Sequence, residues 1–436
     1  MSFLKVLGFD PAKHNVKTEI VAGITTFLTM AYILAVNPDI FGALEDMGMP
    51  KGAVFTATAL AAIVGTLVMS LYAKKPYALA PGLGLNAFFV YTVCLTMGYS
   101  WQFALTAVLI EGIIFIILTV TNVREAIINA IPKAMKSAVS AGIGLFIAFI
   151  GLVNAGIIVD DGGTIITLGT ITSGPALLAI VGLVITSVMM ILKVPGAMLI
   201  GIIVTAIIGI PFGITHFDGV VRGVPSIAPI FCKFEFHNIL SWDMVIVVFT
   251  FLFIDMFDTI GTVIGVSKKA NAMNSDGTIP GVKKVLMADA VATVAGACFG
   301  TSTTTTYVES ASGVAEGGRT GLTSFTTAIC FAIALFFAPL FIGIPSAATA
   351  PALIIVGVMM MSSILDVDFN DFSESIPAYI CMIVMPLAYS ISDGIMLGMI
   401  SFVVLNALTG KFKKISVMMW ILAILFILRY ILLKQG

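Results

Sequence analysis

Long apolar runs alternate with short polar links along almost the whole chain. An α-helix needs roughly 20 apolar residues to cross the hydrocarbon core of a bilayer. Fifteen runs are of this order, and they lie at 20–38, 53–73, 78–98, 101–121, 134–153, 174–192, 195–213, 242–266, 284–300, 302–318, 320–343, 347–364, 376–390, 391–410 and 416–434. The pattern predicts an all-α polytopic membrane protein.

Composition supports this class, because 59% of the 436 residues are hydrophobic and only 10% are charged. A soluble domain carries about 25% charged residues. The net charge of −1 gives no reason to expect a nucleic-acid partner. The five cysteines lie singly and without metal-ligand spacing, so we expect them to pack in the bundle and predict no metal or cofactor.

Basic residues fall on every second link, as expected if positive charge remains on the cytoplasmic side. They are Lys5, Lys13, Lys17, Lys74, Lys75, Arg124, Lys133, Lys136, Lys193, Lys268, Lys269, Lys283, Lys284 and Arg319. This pattern predicts a cytoplasmic N-terminus at 1–20 and an extracellular link at 214–241.

The extracellular link divides the chain into 21–213 and 242–410, each with seven apolar segments. Because seven is odd, the second half would enter the membrane upside down, as in many transporters. The sequence therefore predicts fourteen crossings in a seven-plus-seven inverted repeat. The C-terminal region 411–436 holds one further apolar segment, which is compatible with a span or with a helix lying along the interface.

Two segments at corresponding places in the two halves are interrupted. In "ALAPGLGLNAFFVY", Pro81, Gly82 and Gly84 disfavour a helix interior, and Asn86 is a good N-cap residue. We expect an extended piece up to about Leu85 and a half-helix from about Asn86.

The second interrupted segment is "GTSTTTTYVESASGVAEGG", seven segments later. The β-branched run Thr303 to Thr306 favours a strand. Glu309 and Ser310 then open a second half-helix, which ends at Gly317 and Gly318. Two short strands that lead into half-helices at matching positions indicate the midplane site of a transporter.

Two acids lie in the apolar stretch "VVFTFLFIDMFDTIGTVIGV". Asp255 and Asp258 are three residues apart, so we expect both on one helix face. A charged side chain at the centre of a membrane helix costs about 2.5–3.5 kcal/mol. One alternative is that each acid pairs with a neighbouring helix only to hold the bundle together. We expect instead a ligand or proton site, because burial favours the protonated form of a carboxylic acid.

Glu309 differs from these acids, because the positive end of a half-helix favours its ionised form. An ionised glutamate accepts N–H donors, and free backbone amides beside it donate to a carbonyl. These groups describe a small flat ligand, on which Phe88 and Tyr307 could stack. Glu111 is either a relay or a bundle contact, and we expect structural roles for Asp289 and Asp393.

Four motifs together resemble one family, and they are "TTFLTMAYILAVNP", "APGLGLNAFFVYTV", "FIDMFDTIGTVIGV" and "GTSTTTTYVESASGVAEGGRTGLT". The chain is similar over its whole length to AzgA-like purine permeases of the xanthine/uracil permease superfamily. The resemblance implies fourteen spans, a core domain that moves against a gate domain, and dimerisation through the gate. It also implies proton-coupled uptake of adenine, guanine or hypoxanthine across the plasma or inner membrane.

The resemblance also implies roles for individual residues. Asp255 matches an acid that contacts the base, and Asp258 matches a second acid of the purine branch, so both are candidates for proton coupling. Glu309 matches the glutamate that hydrogen-bonds the ring. Asn86 and Gly84 match the polar residue and the glycine that open the first half-helix.

Other functions compete with this interpretation. The same architecture serves transporters for uracil, xanthine or anions, and a passive channel is a further alternative. An intramembrane hydrolase would use Asp255 and Asp258 as a dyad, but two acids on one helix share a reacting atom poorly. No G-x-x-x-x-G-K-[ST] loop occurs, so ATP drive is not supported. We therefore predict a secondary transporter and not an enzyme.

Overall fold

The computed structural model describes residues 2–121, 131–237, 239–270, 272 and 279–432. Helices dominate these ranges, and we number them in chain order. They are α1 (Ser2–Val6), α2 (Val16–Met30), α3 (Ile33–Phe41), α4 (Lys51–Val68), α5 (Leu83–Ala87), α6 (Trp101–Thr121), α7 (Lys133–Asn154), α8 (Gly174–Ile191), α9 (Ala197–Gly209), α10 (Trp242–Lys269), α11 (Val282–Phe299), α12 (Ser310–Ala315), α13 (Gly321–Ala334), α14 (Ala338–Ile342), α15 (Ser346–Met361), α16 (Phe372–Leu387), α17 (Ile391–Leu408) and α18 (Val417–Leu432).

Shorter elements complete the backbone. The 3₁₀ turns are Gly42–Met47, Leu335–Phe337, Ser362–Asp366 and Phe412–Lys414, and the π-helical stretches are Met69–Ala73 and Phe88–Thr96. The strands are β1 (Leu79–Pro81), β2 (Ile158–Asp161), β3 (Ile165–Leu168) and β4 (Thr304–Thr306). Every predicted apolar segment contains one of the helices. Within the described residues, nine helical stretches are long and apolar enough to cross a membrane, and four apolar helices are shorter.

The two interrupted segments pair with each other inside the bundle. Strands β1 and β4 run antiparallel, with Leu79 opposite Thr306 and Pro81 opposite Thr304, and both strands are buried. The ladder continues at one end, where the Gly82 N–H donates to the Thr303 carbonyl over 3.0 Å. Lipid cannot satisfy exposed backbone groups, so extended chain at this depth requires such a partner.

The first half-helix begins earlier than the sequence predicts. It starts at Leu83, with Gly82 as the extended N-cap residue, so the prediction of a start near Asn86 is wrong. The Asn86 N–H already donates to the Gly82 carbonyl over 2.8 Å. The reason is that pairing with β4 ends at Pro81, which frees the chain to turn into a helix three residues sooner. The second half-helix agrees with the prediction, with Glu309 as its N-cap residue.

A surface hairpin was not expected from the sequence. Strands β2 and β3 pair between α7 and α8, with Ile158 opposite Leu168. Asp161 closes the turn by accepting from the Gly163 and Thr164 N–H groups at 2.8 and 2.9 Å. The β-branched residues on both sides of the "DDGG" turn explain the pairing.

The helices pack in two groups. The first group comprises α2–α6 and α10–α14 with β1 and β4, and the second comprises α7–α9 and α15–α17. Hydrogen bonds join the groups near the start of α15, where the Asp39 carboxylate accepts from Ser346 Oγ and Thr349 Oγ1 at 2.6 Å each. The groups are therefore separate packing units that touch along a limited seam.

The C-terminal helix α18 contacts both groups. The ring of Phe426 lies 5.7 Å from that of Phe249 in α10, and the Tyr430 hydroxyl donates to Asp393 Oδ1 in α17 over 2.7 Å. Asp393 thus holds the end of the chain, in line with the structural role expected for it. The predicted C-terminal region 411–436 is described as far as residue 432.

Gly313 allows α12 to lie directly against α2. A Cβ atom at this position would lie 2.1 Å from Thr26 Oγ1 and 2.4 Å from the Ala22 carbonyl oxygen. We expect Gly313→Ala to destabilise the protein by about 1–3 kcal/mol through overpacking. Thermal unfolding of the purified protein in detergent measures the effect.

Gly265→Ala is the matched control, because a Cβ atom there meets nothing within 4 Å. This variant should unfold at or slightly above the wild-type temperature, since alanine favours helix more than glycine does. Equal unfolding temperatures for Gly313→Ala and the wild type would contradict the close approach.

Candidate functional site

A cavity of about 350 Å³ lies between the two groups of helices, where the interrupted segments meet. Its wall combines the start of α5, the chain between β4 and α12, and faces of α7, α10 and α15. The lining residues are Tyr32, Gly82, Leu83, Gly84, Leu85, Val139, Ser140, Ile143, Ile254, Asp258, Gly261, Thr262, Thr306, Tyr307, Val308, Glu309, Val356, Met359, Met360, Ser362 and Ser363. The volume is at the lower end of the 300–1,000 Å³ typical of ligand pockets.

Glu309 places its carboxylate on this wall. As the N-cap residue of α12 it makes no side-chain capping bond, and its Oε1 accepts instead from the Tyr32 hydroxyl over 2.7 Å. A carboxylate has about four acceptor sites, so capacity remains for a ligand. The Tyr32 bond fixes the direction of the group.

The two acids of α10 have different environments. Asp258 is partly exposed and lines the cavity, whereas Asp255 is fully buried and does not. Asp255 Oδ1 lies within hydrogen-bond distance of the Thr259 hydroxyl oxygen, at 3.0 Å. Residues three apart on a helix differ by about 60° in direction, which is enough to give them different neighbours.

Four predicted site residues therefore meet at the cavity, namely Asp258, Glu309, Tyr307 and Gly84. Tyr307 presents its side chain to the cavity while its hydroxyl donates to the Pro81 carbonyl over 2.6 Å. At Gly84 a Cβ atom would lie 2.7 Å from Ile143 Cγ2, so glycine lets the half-helix approach α7.

Three predicted site residues do not line the cavity, namely Asp255, Asn86 and Phe88. Asn86 is buried and accepts a hydrogen bond from the Ser302 hydroxyl, which ties the first interrupted segment to the second. Phe88 packs edge-on against Phe251, with ring centroids 4.8 Å apart. Their direct contact with a ligand is not supported, because packing within the first group engages these side chains.

Tyr32 is a residue of the site that the sequence analysis did not name, and the structure also gives contacts for two acids that it did name. Tyr32 stands in the motif "TTFLTMAYILAVNP", and a lone polar aromatic residue inside an apolar segment was the available signal. Asp289 accepts from the Thr306 N–H at 2.9 Å and from the Thr259 hydroxyl at 2.8 Å, so it holds β4 as well as α10. Glu111 accepts from Thr303 Oγ1 over 2.6 Å, which is a bundle contact.

The chemistry of the wall is acidic and hydrogen-bonding. Asp258 and Glu309 supply acceptors, and the start of α5 supplies N–H groups that have no partner within the helix. The described lining residues include no lysine or arginine. Across the described part of the chain, no cluster of three or more His, Cys, Asp or Glu side chains could hold a metal ion.

A second cleft, of about 540 Å³, lies away from the interrupted segments. Lys51, His216 and Arg222 line it, together with residues of the link between the two halves and of the chain between α14 and α15. It is larger, but neither half-helix contributes to it. The smaller cavity is the better candidate, because its polar groups converge.

Comparison with known proteins gives a consistent result. Residues 17–397 match the profile of the family Xan_ur_permease, described as "Permease family". The chain is 46% identical to the guanine/hypoxanthine permease PbuG of Bacillus subtilis, with 98% of this chain and 99% of that one covered. It is 41% identical to the adenine permease AdeQ of Escherichia coli, with 96% and 94% covered.

Solved structures show the same fold at low identity. The transmembrane domain of the cyanobacterial bicarbonate transporter BicA matches with a TM-score of 0.64 at 17% identity, covering 88% of this chain and 97% of that one. The murine anion transporter Slc26a9, in its inward-facing state, matches with a TM-score of 0.68 at 12% identity, covering 94% and 70%. The fold is thus that of a multi-pass transporter, and the chain belongs to the permease family that its sequence matches.

Proposed function

We propose that this permease takes up the purine nucleobases adenine, guanine or hypoxanthine by proton symport. The observation that carries the proposal is the joint position of Glu309 and Asp258 on the wall of the cavity beside the start of α5. The names of the relatives support the substrate class, since they are permeases for guanine, hypoxanthine and adenine.

The wall is complementary to a purine. A purine is small and flat, with N–H donors beside carbonyl or ring-nitrogen acceptors on its edge. Glu309 accepts from such donors, and the N–H groups at Leu83 to Leu85 donate to such acceptors. The side chains of Tyr32 and Tyr307 form part of the same wall and offer aromatic surface to the ring.

An anion is the principal competing substrate, because the solved neighbours include anion and bicarbonate transporters. Two acids on the wall of a cavity repel an anion. Uracil and xanthine present N–H donors beside carbonyl acceptors, as guanine and hypoxanthine do, so they remain the alternative nucleobase substrates.

The position of the acids supports the proposal of proton coupling. We propose Asp258 and Asp255 as proton carriers. Burial disfavours the charged form of a carboxyl group, so such a group takes up a proton more readily than an exposed one does. Asp258 exchanges protons with the cavity directly, whereas Asp255 acts from behind it through Thr259. No nucleotide-binding loop competes as an energy source.

The architecture that we propose has fourteen crossings, with 21–213 and 242–410 as inverted halves. The first group of helices would be the core domain that carries the substrate, and the second would be the gate domain that forms a homodimer. We further propose a cytoplasmic N-terminus in the plasma or inner membrane, an extracellular link at 214–241 and a separate C-terminal region at 411–436.

Uptake by reconstituted protein tests the substrate class and the coupling. Proteoliposomes with an inward proton gradient should accumulate labelled hypoxanthine, and an uncoupler should abolish the accumulation. Excess unlabelled adenine and guanine should compete. Competition by uracil or bicarbonate alone would contradict the proposal.

Glu309→Gln should weaken hypoxanthine binding by roughly 10- to 100-fold, because a hydrogen bond to a charged group contributes about 1.5–3 kcal/mol. Equilibrium binding of the labelled base to purified protein measures this. Glu316→Gln is the matched control, since Glu316 is exposed at the other end of α12. Unchanged affinity in a folded Glu309→Gln protein would refute the role of Glu309.

Asp258→Asn should leave equilibrium exchange of hypoxanthine largely intact and remove proton-driven accumulation. The amide preserves the size of the side chain but cannot release a proton. The two rates are compared in the same proteoliposome preparation, with and without a pH gradient. A wild-type response to the gradient would exclude Asp258 as a carrier.

A further inference from the structure

Behind the cavity, three buried side chains meet around one hydroxyl group. Thr259 Oγ1 lies 3.0 Å from Asp255 Oδ1, 2.8 Å from Asp289 Oδ2 and 2.8 Å from Thr305 Oγ1. All four residues are at most 1% exposed. We refer to Asp255, Thr259 and Asp289 as the acid–threonine–acid triad.

The number of protons in this cluster follows from the number of hydrogen bonds that each group can donate and accept. A hydroxyl group donates one hydrogen bond and accepts two. If both carboxyl groups were ionised, Thr259 could donate to only one of them. The other carboxylate would then lie about 3 Å from an oxygen lone pair in the buried interior, which is an unfavourable contact.

One added proton satisfies these three contacts of Thr259. The protonated acid donates to Thr259, Thr259 donates to the ionised acid, and Thr305 donates to the second lone pair of Thr259. From this geometry we propose that the acid–threonine–acid triad is a proton-binding site, in which Asp255 and Asp289 share a proton through the Thr259 hydroxyl.

Thr306 connects the triad to the cavity in which we propose that the substrate binds. Thr306 lines the cavity, and both its N–H and its hydroxyl donate to Asp289 Oδ1, at 2.9 and 3.1 Å. Loss of the shared proton would therefore change the hydrogen bonds that hold β4. A proton in the triad is thus linked to the backbone that leads to Tyr307 and Glu309.

Other titratable groups lie on the elements packed around the triad, and these are Tyr77 beside α10, Glu111 on α6, Asp258 on α10, and Tyr307 and Glu309 between β4 and α12. Asp258 is the one on α10 that reaches the cavity. Protons therefore enter and leave the triad through Asp258. The transport role rests on the proposed proton symport, but the shared proton itself does not.

Asn substitutions test the shared proton with little structural change. In Asp289→Asn, Oδ1 still accepts from Thr306, and Nδ2 donates to Thr259, so the observed contacts are kept without a titratable group. Asp255→Asn preserves the Thr259 contact in the same way. Both variants mimic the form with one proton.

Infrared spectroscopy of the purified protein at neutral pH reads the proton directly, through the C=O stretching band of a protonated carboxylic acid and its shift in D₂O. We expect a component of this band to disappear in Asp255→Asn and in Asp289→Asn and to remain in Asp258→Asn. An undiminished band in either triad variant, or no such band in the wild type, would overturn the proposal.

A transport assay distinguishes a role of Asp289 in proton coupling from a purely structural role. Asp289→Asn should exchange labelled hypoxanthine at a rate within about threefold of the wild type, yet no longer acidify the vesicle lumen when hypoxanthine enters. Lumen acidification at the wild-type rate, or loss of exchange together with acidification, would contradict the assignment. A wild-type protein that moves no hypoxanthine would refute the proposed function while the infrared result stood.

Discussion

The pairing of β1 with β4 is the constraint on which the rest of the site depends. Two stretches of extended chain lie inside a bundle whose surroundings offer no water to their backbone groups. They pair with each other from Leu79 opposite Thr306 to the Gly82 N–H on Thr303, and side chains such as Thr66 and Asp289 satisfy outer backbone groups. Because the pairing holds the two strands side by side, the half-helices that follow begin beside the same cavity.

The role of each polar side chain around this sheet depends on whether it faces the cavity. Those that face away from the cavity hold the sheet in place, as Asn86 does through Ser302 and Glu111 does through Thr303. Those that face the cavity, Asp258 and Glu309, keep capacity for a ligand. Asp289 also holds the sheet in place, since its carboxylate contacts Thr306 of β4 and Thr259, which in turn contacts Asp255. Supporting side chains of this kind fix the geometry of a binding site.

The sequence predicts the helical class, the positions of the apolar segments and two interrupted segments at corresponding places in the two halves. The length of each apolar segment and the β-branched run Thr303 to Thr306 are local signals, which can be read from one sequence because they depend only on neighbouring residues. The start of α5 was misplaced by three residues, because it depends on where β4 stops pairing. The role of Asp289 was underestimated for the same reason, since its partners Thr259 and Thr306 are 30 and 17 residues away.

A single sequence also does not reveal which way each side chain of the site points. The spacing of Asp255 and Asp258 indicates one helix face, but only the packing of α10 against α11 and β4 separates a buried acid from one that lines the cavity. Tyr32 reaches Glu309 across 277 positions of the chain. No periodicity relates residues that far apart.

A structure of the protein with hypoxanthine bound tests the central claim most directly. The account predicts the base in the cavity beside the β1–β4 sheet, with a ring N–H within hydrogen-bond distance of the Glu309 carboxylate. Density for the base in the cleft lined by Lys51, His216 and Arg222, with this cavity empty, would contradict it.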